Sequence, residues 1–179
     1  MEKKNKVFIA TSLDGYIAKK NGGIDWLHSI PNPDNIDMGY GEFTSKIDAL
    51  VMGRTTFETV CGFDMDWPYK KPVFVLSNSL KNIHKEYKDK AELVNGTLKE
   101  ILDKIHNKGY YRLYIDGGKT IQSFLKEDLI DEMTITIIPY LLGGGISLFT
   151  ELPGSLEFEC VDSKIFLEKV VQNHFVRRR

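Results

Sequence analysis

The sequence predicts an α/β fold built on a mostly parallel sheet and finished by an antiparallel hairpin. Three observations predict it. Short apolar runs, each followed by small polar residues, alternate with helical patterns through most of the chain. The run Val73-Phe74-Val75-Leu76 is continuously apolar, as suits a strand buried on both faces. Near the C-terminus the pattern changes to two strand-like stretches, residues 156–161 and 165–176, joined by Asp162-Ser163-Lys164.

Residues 6–11 read as a first strand. Ser12 to Tyr40 is a long stretch of poor periodicity, broken by Asp14-Gly15, Gly22-Gly23, Pro31 and Pro33. A loop of that length in a compact domain is usually functional or mobile. A short helix is expected over 41–47, a strand over 49–52 and a helix over 55–60. Thr55 is placed to cap that helix, with Glu58 three residues on. After a loop containing Trp67-Pro68 comes the strand 72–76. The clearest helix follows Thr97, which forms a T-x-x-E capping box with Glu100. Its buried face is Leu98, Ile101, Leu102 and Ile105, and Gly109 stops it. A strand over 111–115, a helix from Gly118 carrying Ile121, Phe124 and Leu125, and a strand over 133–138 complete the alternation.

The 179 residues form one domain, 1–179, long enough to bury a core. Hydrophobic residues make up 42% and charged residues 27%, as in ordinary globular proteins. A net charge of −1 gives no whole-molecule attraction to nucleic acid or to anionic membranes. No apolar run approaches the ~20 residues that span a bilayer. The charged start is no signal peptide, so the expected place is the cytoplasm. Cys61 and Cys160 have no CxxC partner and read as buried small apolar side chains, with no metal site. Arg177-Arg178-Arg179 reads as a solvated basic tail.

Three segments repeat one arrangement. Gly53-Arg54-Thr55-Thr56, Ser77-Asn78-Ser79 and Asp116-Gly117-Gly118-Lys119-Thr120 each follow a predicted strand. In a parallel sheet all three converge on one edge. They offer hydroxyls, free backbone N–H groups and two cations, which is what a multiply phosphorylated ligand needs. Gly117 and Gly118 permit close backbone approach, either to a phosphate or simply to a packed neighbour. Arg54 can grip phosphate or pair with an acidic neighbour, and Thr55 can bind ligand or only cap. Gly118-Lys119-Thr120 is not a P-loop, because the required earlier glycine is Leu113. The triple glycine 143–145 allows a sharp turn, close approach or flexibility. Candidate proton donors are Asp14, Asp25, Asp34, Asp37 and Glu42, in or near the early loop. Trp26 and Tyr40 are either walls for a flat substrate or plain core.

Together these segments resemble the dihydrofolate reductase-like fold. The resemblance rests on residues 7–18, on Gly23-Ile24-Asp25-Trp26-Leu27, on 48–58, and on the Leu-Ser-Asn-Ser and Ile-Asp-Gly-Gly-Lys turns. Leu129-Ile130-Asp131-Glu132, residues 138–145 and Leu148-Phe149 are similar to one branch, the reductase domain of the bifunctional riboflavin-biosynthesis deaminase/reductase and its stand-alone relatives. That resemblance implies a three-layer α/β/α architecture and an NADPH-dependent reductase acting on a pteridine- or aminopyrimidine-like heterocycle. It implies that Gly53, Arg54, Thr55, Thr56, Leu76, Ser77, Asn78 and Ser79 hold the adenosine-side phosphates. Ile115, Gly117, Gly118, Lys119 and Thr120 would hold the pyrophosphate. Ala10, Ile17 and Ile24 would line the nicotinamide site, and Asp37 would be the catalytic acid. A homodimer is implied, with the 133–138 strand and the C-terminal hairpin as contacts. The zinc-deaminase half is absent, since the chain has no P-C-x-x-C. The alternative is a module of the same fold that binds NADP(H) without turnover. A purely structural protein would make the three polar turns a coincidence.

Overall fold

Lys4–Ser12 forms β1, the strand about which the sheet is organised. The computed structural model describes residues 2–179. After β1 come β2 (Tyr16–Ala18), α1 (Tyr40–Ser45), β3 (Ala49–Gly53), α2 (Arg54–Cys61), β4 (Val73–Leu76), β5 (Ala91–Val94), α3 (Leu98–Asn107) and β6 (Arg112–Asp116). The chain continues through α4 (Gly118–Lys126), β7 (Glu132–Ile138), β8 (Ile146–Ser147), β9 (Phe158–Phe166) and β10 (Val170–Arg177). Eight strands form one sheet in the order β5-β4-β3-β6-β1-β7-β10-β9. Ladders between β5, β4, β3, β6, β1 and β7 are all parallel, while β10 and β9 are antiparallel.

The apolar face of α3 and that of α4 cover one side of the sheet through Ile101, Ile105, Ile121 and Phe124. Phe43 of α1 and Phe57 of α2 cover the other, against Leu50, Met52, Val75 and Tyr114. The architecture is therefore the three-layer α/β/α that the resemblance implies. α3 has the expected capping box, with Thr97 and Glu100 bonded reciprocally. Gly109 closes it at φ +90°.

Several expectations need correction. The hairpin turn is not at Asp162-Ser163-Lys164, which lies within β9. The chain reverses at Leu167-Glu168, both in the left-handed region (φ +51° and +58°), with the Lys169 N–H donating to the Phe166 carbonyl. Leu-Glu carries no turn signature, whereas polar residues are at home on an exposed edge strand. Thr55 does not cap α2: the helix starts at Arg54, and Gly53 is its N-cap. Cys160 is exposed and Cys61 half-buried. The terminal arginines are not a free tail: Arg177 pairs with Asp128 at 2.7 Å, Arg178 with Glu159 at 2.7 Å and Arg179 with Asp131 at 2.6 Å. Two further features have no clear local signal. β5 is a fourth-neighbour edge strand, and β2 pairs with β8 to form a small second sheet.

Candidate active site

β1 and β6 are hydrogen-bonded only from Lys4 to Lys6, opposite Arg112 to Tyr114. Beyond that, β1 has β7 alone as partner, to Ser12. The connection leaving β1 goes to β3, and the one leaving β6 goes to β7, in opposite directions along the sheet. Ligand crevices in open α/β sheets form at such a switch point. The Tyr114 hydroxyl bridges the opening, donating to the Phe8 carbonyl at 2.8 Å.

Two of the predicted turns meet at this edge. A Cβ on Gly53 would lie 2.9 Å from the Thr120 hydroxyl, and one on Gly117 would collide with Thr56. A Cβ on Gly118 would lie 2.6 Å from the Ile17 side chain. The glycines thus let the β3–α2 turn, the β6–α4 turn and β2 interlock. Neither α2 nor α4 has a side-chain hydrogen bond at its N-cap. α3, which follows β5 further along the same edge, is fully capped. The first-turn N–H groups of α2 and α4 are therefore left for a ligand, with the positive helix ends behind them.

The cations flank these turns. Arg54 is exposed and makes only a loose contact with Glu58, at 3.8 Å. An exposed pair of that kind binds weakly and leaves the guanidinium available. Lys119 is exposed and Thr55 is exposed beside it in the same edge region, while Thr56 is half-buried. In the third turn the Ser77 hydroxyl accepts from the Ser79 and Leu80 N–H groups, and Asn78 and Ser79 stand exposed. Leu76 is half-buried against the core below. Ile115 is fully buried, so its side chain belongs to the core rather than the edge.

On the α1 side, Ala10 packs against a cluster of Trp26, Ile138 and Val170. Trp26 is 3% exposed, yet its indole N–H finds no acceptor among the described residues. Ile24, half-buried, opens the 3₁₀ turn Asp25–Ser29 that carries Trp26. The Tyr40 ring lies 5.6 Å from Phe8 and is partly exposed. The triple glycine lies against β2, since a Cβ on Gly145 would strike the Ala18 carbonyl. Asp14 fastens the two loops by accepting from Ser12, Leu142 and Gly143.

Asp14, Asp25, Asp37 and Glu42 of the early loop are each held in the carboxylate form by hydrogen-bond donors. Asp37 is exposed and accepts from the Gly39 and Gly41 N–H groups, both at 2.9 Å, which holds its carboxyl below the usual range. It caps α1 instead. Asp25 is held down by Lys19, Glu42 by Lys46, and Asp14 by Ser12. One acid outside that loop, which sequence reasoning missed, has a different environment. Burial pushes Asp116, the last residue of β6, up to about 6, against the opposing pull of the Gly117 N–H and the Tyr114 hydroxyl. Gly117 donates to its Oδ1 at 2.8 Å. Its charge is felt by Tyr40, Tyr69 and Tyr114, whose phenols are raised chiefly by burial. At the far edge Asp48 behaves oppositely, held at about 2 by Arg112, 2.6 Å away. The signal for Asp116 was its position directly before two glycines at a strand end, a position already singled out for its neighbours.

The RibD C-terminal domain family matches residues 5–172. The chain belongs to that family. It is 35% identical to the YwjB protein of Bacillus subtilis (strain 168), over 99% of both chains. A crystal structure from Shewanella sp. PV-4, named for riboflavin biosynthesis, is 55% identical over 98% of this chain and 99% of that one, with a TM-score of 0.96. Two distant structures share the fold. One is the deaminase/5-amino-6-(5-phosphoribosylamino)uracil reductase of Thermotoga maritima, with a TM-score of 0.77 at 14% identity, covering 99% of this chain and 57% of that one. The other is the dihydrofolate reductase of Enterococcus faecalis complexed with NADP(H), with a TM-score of 0.67 at 18% identity, covering 98% and 97%. The fold is dihydrofolate reductase-like. Among the described residues no helix is long and apolar enough to cross a membrane. No group of His, Cys, Asp and Glu among them is placed to hold a metal.

Proposed function

We propose that the chain is an NADPH-dependent reductase of a small flat heterocycle, pteridine- or aminopyrimidine-like. One observation carries this reading: two helices without side-chain caps start side by side at the sheet edge, next to a carboxyl whose proton is retained to about 6. The names of the Thermotoga and Enterococcus proteins support the reaction class.

The donor set fits a dinucleotide phosphate. The N–H groups of Gly118, Lys119 and Thr120 would hold the pyrophosphate, and Arg54, Thr55, Thr56 and the Ser77–Ser79 turn the remaining phosphate. Ala10, Ile17 and Ile24 would order the nicotinamide end. The bound cofactor would supply the hydride. Asp116 does the proton work. Its Oδ1 accepts from Gly117, which leaves Oδ2 to hold the proton and pass it to a ring nitrogen of the substrate. Tyr40, on the same side of the sheet as Asp116, gives the heterocycle an aromatic edge.

The test is NADPH oxidation followed at 340 nm across pteridines and aminopyrimidines, with thermal unfolding in NADPH, NADH or neither. At about a hundredfold over Kd, binding contributes roughly 2.7 kcal/mol. A shift with NADPH exceeding that with NADH, together with turnover, is the expected result. A shift without any turnover would leave an NADP(H)-binding module, and no shift would remove the cofactor reading.

We infer further that the chain is a homodimer. A groove of about 370 Å³ on the α3–α4 side lies between β7, β9 and β10, lined by Met133, Ile135, Phe149, Phe158 and Phe175. Phe149 is 47% exposed, a large ring left for a second copy to cover. Sedimentation equilibrium at micromolar concentration tests this, and a monomer there would refute it.

A further inference from the structure

At the sheet end opposite Asp116, the starts of β4 and β5 and the end of α3 border an open, concave cavity of about 620 Å³. Its walls include Trp67, Tyr69, Phe74 and Tyr110. Its rim is basic. Lys70 and Lys71 precede β4, Lys88 and Lys90 precede β5, and Lys108 follows α3. Two acids line it as well, and one of them, Glu92, is occupied by Lys108 at 2.6 and 2.7 Å. The other is Asp89. Among the described residues Lys70, Lys71 and Lys88 form no ion pair.

Three segments distant in sequence thus bring cations to one concave place, in a chain whose net charge is −1. A solvated charged face carries both signs interspersed and has no aromatic floor. A concave site with one dominant sign and low-dielectric walls focuses its field on an anion. The volume lies within the roughly 300–1,000 Å³ of small-molecule sites. Lysine ammonium groups bind phosphate as point charges, and aromatic faces take a flat ring.

We propose that this cavity binds a small phosphate-bearing aromatic compound of the nucleotide class, with its ring against Trp67 and Tyr69 and its phosphate between Lys71 and Lys88. The site is separate from the reductive edge, yet linked to it. Tyr69 lines the cavity, and its phenol also stands in the field of Asp116. The segment carrying Trp67 and Tyr69 joins α2 to β4, whose opposite ends bear Arg54 and lead into Ser77.

The probe is adenosine 5′-monophosphate, titrated calorimetrically into the full chain at low salt. Saturable binding is expected, with adenosine alone and inorganic phosphate alone each at least tenfold weaker. The pair Lys71→Glu and Lys88→Glu weakens binding at least tenfold, and the milder pair Lys71→Gln and Lys88→Gln weakens it in the same direction. The pair Arg54→Ala and Lys119→Ala leaves this binding intact, although it weakens NADPH, which separates the two sites. Absence of binding overturns the proposal, as does loss with the Arg54 and Lys119 pair but not with the Lys71 and Lys88 pairs.

Discussion

Asp116→Asn should make the protein more stable at neutral pH and, under the proposed function, cut NADPH oxidation. The carboxyl is raised from its ordinary 3.8 to about 6 because ionisation there loses hydration. The native state therefore holds this proton more tightly than the unfolded chain does. Its contribution to stability is complete below about pH 4 and is lost as pH rises through 6. The interval from 3.8 to about 6 corresponds to roughly 3 kcal/mol. Solvent reaching a half-buried carboxylate reduces this to about 2 kcal/mol. The facing titratable groups, Tyr40, Tyr69 and Tyr114, are all raised and stay neutral across this range. Asparagine keeps an acceptor for the Gly117 N–H and never ionises. At pH 7.5 the variant should unfold about 4–8 °C higher than wild type, and the gap should close near pH 4. NADPH oxidation should fall at least a hundredfold, and the wild-type rate should decline above pH 6. Unfolding scans from pH 4 to 8 on both proteins test the stability arm. A gap independent of pH would refute the reasoning, because the burial cost would then not reside in this carboxylate.

Arg54→Ala should weaken NADPH about tenfold and NADH much less, measured by fluorescence titration; unchanged NADPH affinity would remove Arg54 from the site. Replacing Leu167-Glu168 with Asn-Gly should stabilise the protein by about 1–2 kcal/mol, because both residues occupy the left-handed region that L side chains disfavour. Chemical denaturation would show the higher midpoint with an unchanged slope. His106 is 8% exposed, stacks on Tyr111 and has neither ring nitrogen bonded among the described residues. Burial lowers its pKa below the ordinary 6.5, with the Lys3 charge adding to the effect and Asp103 opposing it. Its stability contribution is present above about 6.5 and is lost as pH falls. His106→Leu should remove that acid-dependent loss, which the unfolding midpoint between pH 7.5 and 5 would reveal.

The sequence by itself determined the alternation of strands and helices, the faces of α3 and α4, and the three polar turns. Each of these is set by residues within a few positions of one another. Ile101, Ile105, Ile121 and Phe124 repeat at helical spacing, and Thr97 meets Glu100 one turn away. Only the tertiary structure decided which carboxyl is buried. Asp116 looks like any strand-end aspartate until Tyr114, Tyr69 and α1 cover it, and burial depends on partners from distant parts of the chain. The bonds of Asp37 run to its own neighbours, Gly39 and Gly41, a local arrangement that residue type and spacing alone do not reveal. The hairpin turn was hidden for a related reason. Leu167 and Glu168 are held in an unfavourable conformation by the β9–β10 ladder on either side, so the ladder overrides local preference. The basic cavity was invisible too, since Lys71, Lys88 and Lys108 become neighbours only when β4, β5 and α3 pack side by side. Local chemistry can be read from the chain. Desolvation and convergence are properties of the packed whole.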